Sequence, residues 1–547
     1  MEDISSLRRE LQQLSATQLR ELLSASGHGQ LLRHEEGDKP AVDEQLAAAA
    51  KDEGNAFFRQ GRMLDAVSAY SRCIEMDPSN ALCLSNRAAA YLKLKKFDRA
   101  VADCSKAIDV DPTIKPFMRR AAAYMALQQY ECAVADLVGA LEFEPRNKEC
   151  RAKLQYVVDT AMELQQSGDA VSADLRGAAI RAAVIFSVRE GWAKHAVRGN
   201  PGPTAVNGHT LFQGAGGRIY LFGGRAVREQ KPDVFVLDED DDSSWDTVPT
   251  QGTGAPSSRA WHSTSAIGNR ANECYCVYGG VSSRGEDSNV HLLVPASPRG
   301  FRWELPRCFQ DPKEIPAPRS GHAAVSVVEE SGSRAVYIFG GRTKQGVSDQ
   351  LLILRCSSER SSAPNDTTVH WAIVWDEEHA CEEQRGVGNW PAARDGHSMC
   401  LLQGTESLGP RLVVFGGNGQ LNDERMNDVW VFDLQQNCWT LLECSGDIPS
   451  PRSYHTVHVV KEFIFIVGGR TADSEDASVY MLDISISRWL RVPLSSDRAL
   501  TPRAWHSSIL TEAGKLFVLG GGTYHGPLKD AATLDLSYFR AKASLLL

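Results

Sequence analysis

The sequence of 547 residues is defined first by what it lacks. It has no run of about 18 apolar residues, the length a membrane-spanning helix needs. Its amino terminus, "MEDISSLRRELQQL", is charged throughout and carries neither an apolar signal core nor a small-residue cleavage site. A soluble, unexported chain in the cytoplasm, with no membrane partner, is therefore expected. No CxxC pair occurs among its 13 cysteines. Cys73, Cys104 and Cys276 sit in apolar periodic segments, where they are expected to pack as small hydrophobes in a reducing compartment. Positive charge is not in excess either: 59 Lys and Arg stand against 69 Asp and Glu, a net charge of −10, so no nucleic-acid partner is expected. GxSxG, HExxH, Walker and strand-to-helix dinucleotide motifs are all missing, and nothing supports covalent chemistry. The expectation is a non-enzyme with no catalytic residue, cofactor or metal. One glycosylation triplet, Asn365-Asp366-Thr367, is read as a chance match.

What is present begins with two short amphipathic segments, "SSLRRELQQL" and "SATQLRELLSASG", expected as a helical hairpin over 1–40 with the polar linker "HEEGDKPAVDE". The chain then repeats itself. Ala66, Ala100 and Ala133 hold the same place in "LDAVSAY", "FDRAVADC" and "YECAVADL", at spacings of 34 and 33, and Pro78, Pro112 and Pro145 each close a unit. With Gly54, Phe57 and Tyr91 added, this resembles three tetratricopeptide repeats. The alanines let paired helices approach closely, and each proline stops a helix. The array with its end helix is placed at 41–168, and a bridging helix at 169–190.

From Trp192 the period becomes alternating. Six apolar strands end in glycine pairs: Gly223-Gly224, Gly279-Gly280, Gly340-Gly341, Gly416-Gly417, Gly468-Gly469 and Gly520-Gly521. Second strands such as "DVWVFDL" follow, then a tryptophan: Trp245, Trp303, Trp371, Trp439 or Trp489. The pattern resembles kelch repeats, which implies a six-bladed β-propeller at 191–537, with a tail at 538–547 of unassigned role. The last repeat has no such tryptophan. Trp192 lies 17 residues before His209, the same interval as Trp245 to His262 and Trp489 to His506, so the segment at Trp192 is expected to supply the missing outer strand and close the ring. The fold class is thus multidomain, α plus all-β.

Several clusters invite a chemical reading and have a plainer one. Six histidines, His209, His262, His322, His397, His455 and His506, recur once per repeat, most within "RxxH". A metal site needs ligands converging on one point, whereas one histidine per repeat suits a structural hydrogen bond made six times. "GAGGR" at Gly214–Arg218 lies between two strands rather than before a helix and reads as a hairpin turn, not a phosphate loop. Asp238–Asp242, a contiguous acidic run, lacks the spacing of a calcium loop, and "DEEHACEE" around His379 and Cys381 reads as a long loop.

One polar set is more specific. "KDEGN", "SNRAAAY" and "IKPFMRRAAAY" carry Lys51, Asn55, Asn86, Lys115 and Arg119 on successive helical segments. Residues four apart share a helix face, which pairs Lys51 with Asn55. The set resembles the carboxylate clamp of tetratricopeptide co-chaperones. That resemblance implies that these five residues grip the two carboxylates of a carboxy-terminal Asp, as in the Glu-Glu-Val-Asp tails of 70 and 90 kDa heat-shock chaperones. Pro116 directly after Lys115 biases Lys115 away from helical angles, which makes it the weakest member. The expected protein is a cytosolic adaptor whose clamp holds a chaperone tail while the propeller binds a second, unidentified protein. Two alternatives keep other readings open: a scaffold for a ubiquitin-ligase or cytoskeletal assembly, and a propeller-based enzyme.

Overall fold

The structure is a computed structural model and describes residues 44–546 apart from 200–202, 204–205, 226–232, 238–243, 270–271, 284, 297–299, 309, 311–314, 361–368, 378–389, 405–407, 422–423 and 495–497. The amino-terminal helical pair, the acidic run Asp238–Asp242, the triplet at Asn365, and His379 with Cys381 lie outside the described residues. By contacts the chain divides into residues 1–150 and 151–547.

The first unit holds three helical hairpins: α1 (Glu44–Arg59) with α2 (Met63–Met76), α3 (Ala81–Lys93) with α4 (Phe97–Val110), and α5 (Ile114–Ala126) with α6 (Tyr130–Phe143). Ala66, Ala100 and Ala133 are fully buried. Gly54 has no room for a side chain, since a Cβ there would lie 2.6 Å from the ring of Tyr70. Two buried ion pairs bind each later hairpin to itself. Arg87 on α3 donates twice to Asp103 on α4 at 2.8 Å, and Arg120 on α5 donates twice to Asp136 on α6 at 2.8–2.9 Å. Each arginine spends a third donor on the serine of the preceding hairpin, Ser71 or Ser105. Successive units are thereby cross-linked by charge-assisted bonds. Cys104 is buried and free, as apolar packing requires. Cys73 differs from expectation: α2 and α3 bring it against Cys83, Cα to Cα 6.7 Å, and the two form a disulfide.

The turn inside each hairpin repeats one geometry. Arg62, Lys96 and Gln129 donate backbone N–H bonds back to Phe57, Tyr91 and Tyr124, which puts the residue before each of them at positive φ. That residue is Gly61 in the first hairpin but Lys95 (φ 56) and Gln128 (φ 58) in the others. A side chain costs roughly 1–2 kcal/mol in this left-handed region, partly offset by the extra freedom glycine has when unfolded. Lys95→Gly and Gln128→Gly are each expected to stabilise the array by about 0.5 kcal/mol. The urea midpoint followed by helical circular dichroism checks this; a lowered midpoint for both refutes it.

Within the second unit, each of the first five glycine-pair repeats contributes four antiparallel strands, and the last contributes three among the described residues. The first repeat runs Thr210–Gln213, Ile219–Phe222, Val234–Leu237 and Trp245–Val248, paired in chain order. The expectation of six separate blades is corrected here: among the described residues the large sheets number five, with four, ten, four, four and five strands. The second and third repeats share the ten-stranded sheet. They are fused where Arg334 pairs with Gly268 and the Arg334–Glu273 ion pair crosses the junction. Counted by sheets, this is a five-bladed propeller built from six sequence repeats. A sequence period reports strands and turns, and it does not register a single bridging pair between two units.

The ring closes where the two ends of this unit meet. Ala193–Ala196, immediately after buried Trp192, pairs antiparallel with Asp530–Asp535 and completes the four-stranded sheet of the last repeat. Neighbouring repeats are also strapped by short parallel pairings: Thr250–Gln251 onto Phe301–Arg302, Arg307–Cys308 onto Ala372–Ile373, and Ser445–Gly446 onto Arg488–Trp489. The tail is a helix, Ser537–Leu546, which lays Phe539 against Phe463 and Phe465 at 5.2 and 5.5 Å. Ser187, at the end of the helix Ala173–Ser187, donates to Asp535 O and accepts from Phe539 N.

Candidate functional site

The first helices of the three hairpins lie side by side, and they carry all five residues of the expected clamp. Lys51 and Asn55 project from α1, Asn86 from α3, and Lys115 and Arg119 from α5. Lys115 lies inside its helix, contrary to the bias read from Pro116. α5 starts at Ile114, so the proline falls in the first turn, where its missing N–H has no intrahelical acceptor to lose. Lys115 and Arg119 therefore share one helix at the four-residue spacing.

Three of the five are joined by hydrogen bonds. Arg119 Nη1 donates to Asn86 Oδ1 at 3.3 Å and to Ser85 Oγ at 2.6 Å. Asn86 Nδ2 donates to Asn55 Oδ1 at 3.2 Å, and the buried Tyr70 hydroxyl donates to the same oxygen at 2.8 Å. Lys51 and Lys115 have no ion-pair partner among the described residues, and Lys115 is exposed. Arg119 differs sharply from the arginines beside it. Hydrogen bonds to Asp103 and Asp136 hold the pKa values of Arg87 and Arg120 above the usual arginine value. Arg119 is bonded only to neutral groups among the described residues, and burial pushes its pKa down. It is a partly buried cation with no carboxylate beside it among the described residues. Tyr70 and Ser85 were not singled out from sequence, because they lie off the faces that carry the clamp spacing.

The other concave feature lies on the axis of the propeller, a cavity of about 200 Å³. The residue before each repeat histidine has positive φ: Gly208, Trp261, Gly321, Gly396, Tyr454 and Trp505. Each donates its N–H to the carbonyl of the preceding member, and Gly208 donates to Trp505, so six backbone hydrogen bonds of 2.6–3.1 Å form a closed circle. The histidines behind the circle are structural. His262, His322, His455 and His506 each bond through Nε2, at 2.8–3.0 Å, to the Ser or Thr that follows the preceding repeat's histidine. His397 finds Ala323 at that place, and for His209 the equivalent Ser507 accepts from Leu211 N instead; neither ring has a hydrogen-bond partner among the described residues. The arginine three residues before the histidine is equally internal, donating to the first glycine's carbonyl in five repeats. "GAGGR" is a tight turn between strands, with Gly216 and Gly217 at positive φ and Gly214 N bonded to Arg218 O.

These two architectures define a tetratricopeptide region joined to a kelch-type propeller, both interaction scaffolds as classes. Residues 181–367 and 359–540 match the KLHDC2/KLHL20/DRC7 Kelch-repeats domain, and the chain belongs to that family. Residues 81–114 match the tetratricopeptide repeat. The chain is similar to acyl-CoA-binding domain-containing protein 4 of Arabidopsis thaliana, 25% identical over 342 residues, covering 61% of this chain and 45% of that protein. It is also similar to putative adagio-like protein 2 of Oryza sativa subsp. japonica, 30% identical over 358 residues, 61% of this chain and 49% of that protein. A shorter stretch is similar to RNA polymerase II-associated protein 3 of Mus musculus, 39% identical over 90 residues, 16% of this chain and 14% of that protein. A solved structure, the first TPR of Spaghetti (RPAP3) bound to HSP90 peptide SRMEEVD, is 38% identical, covering 22% of this chain and 95% of that one, with a TM-score of 0.22. The chain spans about half the length, or less, of these curated relatives.

Proposed function

We propose that the protein is a cytoplasmic adaptor whose helical array binds the free carboxy terminus of an acidic peptide, of the Glu-Glu-Val-Asp type borne by heat-shock chaperones, while the propeller binds a second protein. The observation that carries this reading is Arg119, half-buried and bonded only to neutral groups among the described residues, beside a row of unpaired donors from Lys51, Asn55 and Lys115. Holding a cation away from water without a counter-charge is costly, and an arriving carboxylate removes that cost. Each charge-assisted hydrogen bond is worth roughly 1.5–3 kcal/mol, and ordering a flexible tail takes back roughly 2–5 kcal/mol, so binding is reversible and of moderate affinity.

The test is calorimetric titration of the full chain with a free-acid Glu-Glu-Val-Asp peptide and with its carboxamide. The free acid should bind and the amide only weakly; equal affinities, or no binding of either, overturn the proposal. Arg119→Ala should weaken the free acid by about ten- to hundredfold, the equivalent of one charge-assisted bond. Its helical circular dichroism should match the parent, because Arg119 holds no other helix by an ion pair.

A further inference from the structure

The clamp contains two asparagines, and an asparagine can present either a donor or an acceptor. A site for a carboxylate needs only donors. Which edge faces the ligand is settled by neighbours, and the neighbours here form one chain of fixed polarity.

Arg119 can only donate, so the atom of Asn86 that meets it at 3.3 Å must be the oxygen. The Asn86 nitrogen is then the atom that faces Asn55, at 3.2 Å, and the Asn55 atom receiving it must again be an oxygen. Tyr70, whose hydroxyl reaches that same oxygen at 2.8 Å, is left one role, that of second donor. Both amide oxygens are consumed inward. The Asn55 Nδ2 group has no partner among the described residues, and with Lys51, Lys115 and the remaining N–H groups of Asn86 and Arg119 it leaves a groove that offers donors and no amide acceptor.

From this geometry we infer that Tyr70 is a specificity-determining positioning residue: by donating to Asn55 Oδ1 it turns the Asn55 amide nitrogen toward the ligand, so that the groove accepts a carboxylate and rejects the corresponding amide. This rests on the carboxylate-binding reading above. Tyr70 touches the ligand through no atom; it acts through Asn55. The buried ring has a second, purely structural role, filling the space beside Gly54, and the two roles are separable because only the hydroxyl reaches Asn55. Without the hydroxyl, Asn55 keeps one long bond from Asn86, and its amide is free to turn its oxygen outward toward the ligand. That places an acceptor against a carboxylate and a complementary partner against a carboxamide.

The test uses the full chain carrying Tyr70→Phe, with Tyr91→Phe as a control that deletes a hydroxyl at the neighbouring repeat, where no clamp residue is bonded to it. Kd is measured for the free-acid and carboxamide Glu-Glu-Val-Asp peptides. Tyr70→Phe should weaken the free acid about tenfold while leaving the amide unchanged or slightly tighter, compressing the ratio of the two; Tyr91→Phe should leave the ratio intact. A parent protein that discriminates, with the ratio unchanged in Tyr70→Phe, overturns this inference and leaves the clamp standing. Equal weakening of both peptides overturns it too, since that is the mark of altered packing. A parent that never discriminates refutes the underlying reading instead.

Discussion

Lowering the pH from about 7.5 to about 5 is expected to destabilise the propeller steeply through its buried histidines. Burial holds His209, His322 and His455 at pKa values of about 3, and it holds His262, His397 and His506 well below the usual histidine value. The unfolded chain restores each to about 6.5, so it takes up protons that the folded ring refuses. Stability is therefore complete above about pH 6.5 and declines as pH falls toward the folded values. At about pH 5 each histidine held near 3 contributes a loss of about 2 kcal/mol, and three of them together lose about 6 kcal/mol, comparable with the whole stability of an ordinary domain. Asp287, Asp428 and Asp476 work in a separate, lower window. Burial alone would raise them, but hydrogen bonds and arginine charge bring all three below the usual carboxylate value, so their contribution is lost only below about pH 4. All 11 tryptophans lie between Trp192 and Trp505, so tryptophan fluorescence reports on the propeller alone. Urea midpoints measured across this range should fall continuously; a flat profile down to about pH 5 refutes the assignment of six neutral histidines.

The second large effect is expected at Arg394. Its side chain is fully buried, donates to Gly416 O at 3.0 Å, and grips Asp428 with two bonds of 2.8 Å. Arg394→Met keeps much of the volume but takes both guanidinium bonds from Asp428, which keeps Trp430 Nε1 at 2.7 Å and is 30% exposed. It also removes the donor to the carbonyls of Gly416 and Ala392, and the lower end of the range for breaking a buried pair, about 3 kcal/mol, is expected. The third repeat supplies an internal comparison. Arg319 makes the same bond to Gly340 O but meets the neutral amide of Gln350 instead of an acid. Arg319→Met should cost about 1–3 kcal/mol, since no charge is left behind. Urea denaturation of the two variants, followed by fluorescence, measures the difference. Equal losses, or a larger loss at Arg319, would show that hydrogen bonding to the glycine carbonyl dominates and the ion pair does not.

Much of the propeller was legible because each repeat signal has a local cause. A pair of glycines was readable as a close approach, and the structure supplies the reason. A Cβ on Gly279 would lie 2.4 Å from Arg319 O and 2.7 Å from the His322 ring, and one on Gly280 would meet His262 Cβ at 2.8 Å. The glycines are pressed between histidines of two successive repeats, and the paired N–H of Gly280 bonds to Arg319 O. The tryptophans and the aromatic residue before the glycines answer one another in the same way: Trp303 packs on Phe222, Trp439 on Phe339 and Trp489 on Phe415, at 5.1–5.2 Å. The closed circle of backbone bonds was not legible. It depends on Trp261, Tyr454 and Trp505 adopting positive φ, a conformation these residue types do not advertise.

The array divides similarly. The 33- and 34-residue period and the types and spacing of Lys51, Asn55, Asn86, Lys115 and Arg119 follow from helix geometry alone, and they set out the helix order and the candidate groove. Sequence reasoning underrated Lys115, because the bias of a residue before proline away from helical angles did not prevail in the first turn of Ile114–Ala126. It had no means of finding Tyr70, whose contact with Asn55 spans two helices. Composition, period and local propensity fixed what repeats and which residue types face a groove. The tertiary structure alone decided which arginine lacks an acid among the described residues, which edge of an amide points outward, and that two repeats fuse into one sheet. Each of those depends on a distance between atoms of different helices or strands, and a linear pattern carries no information about that distance until the chain has packed.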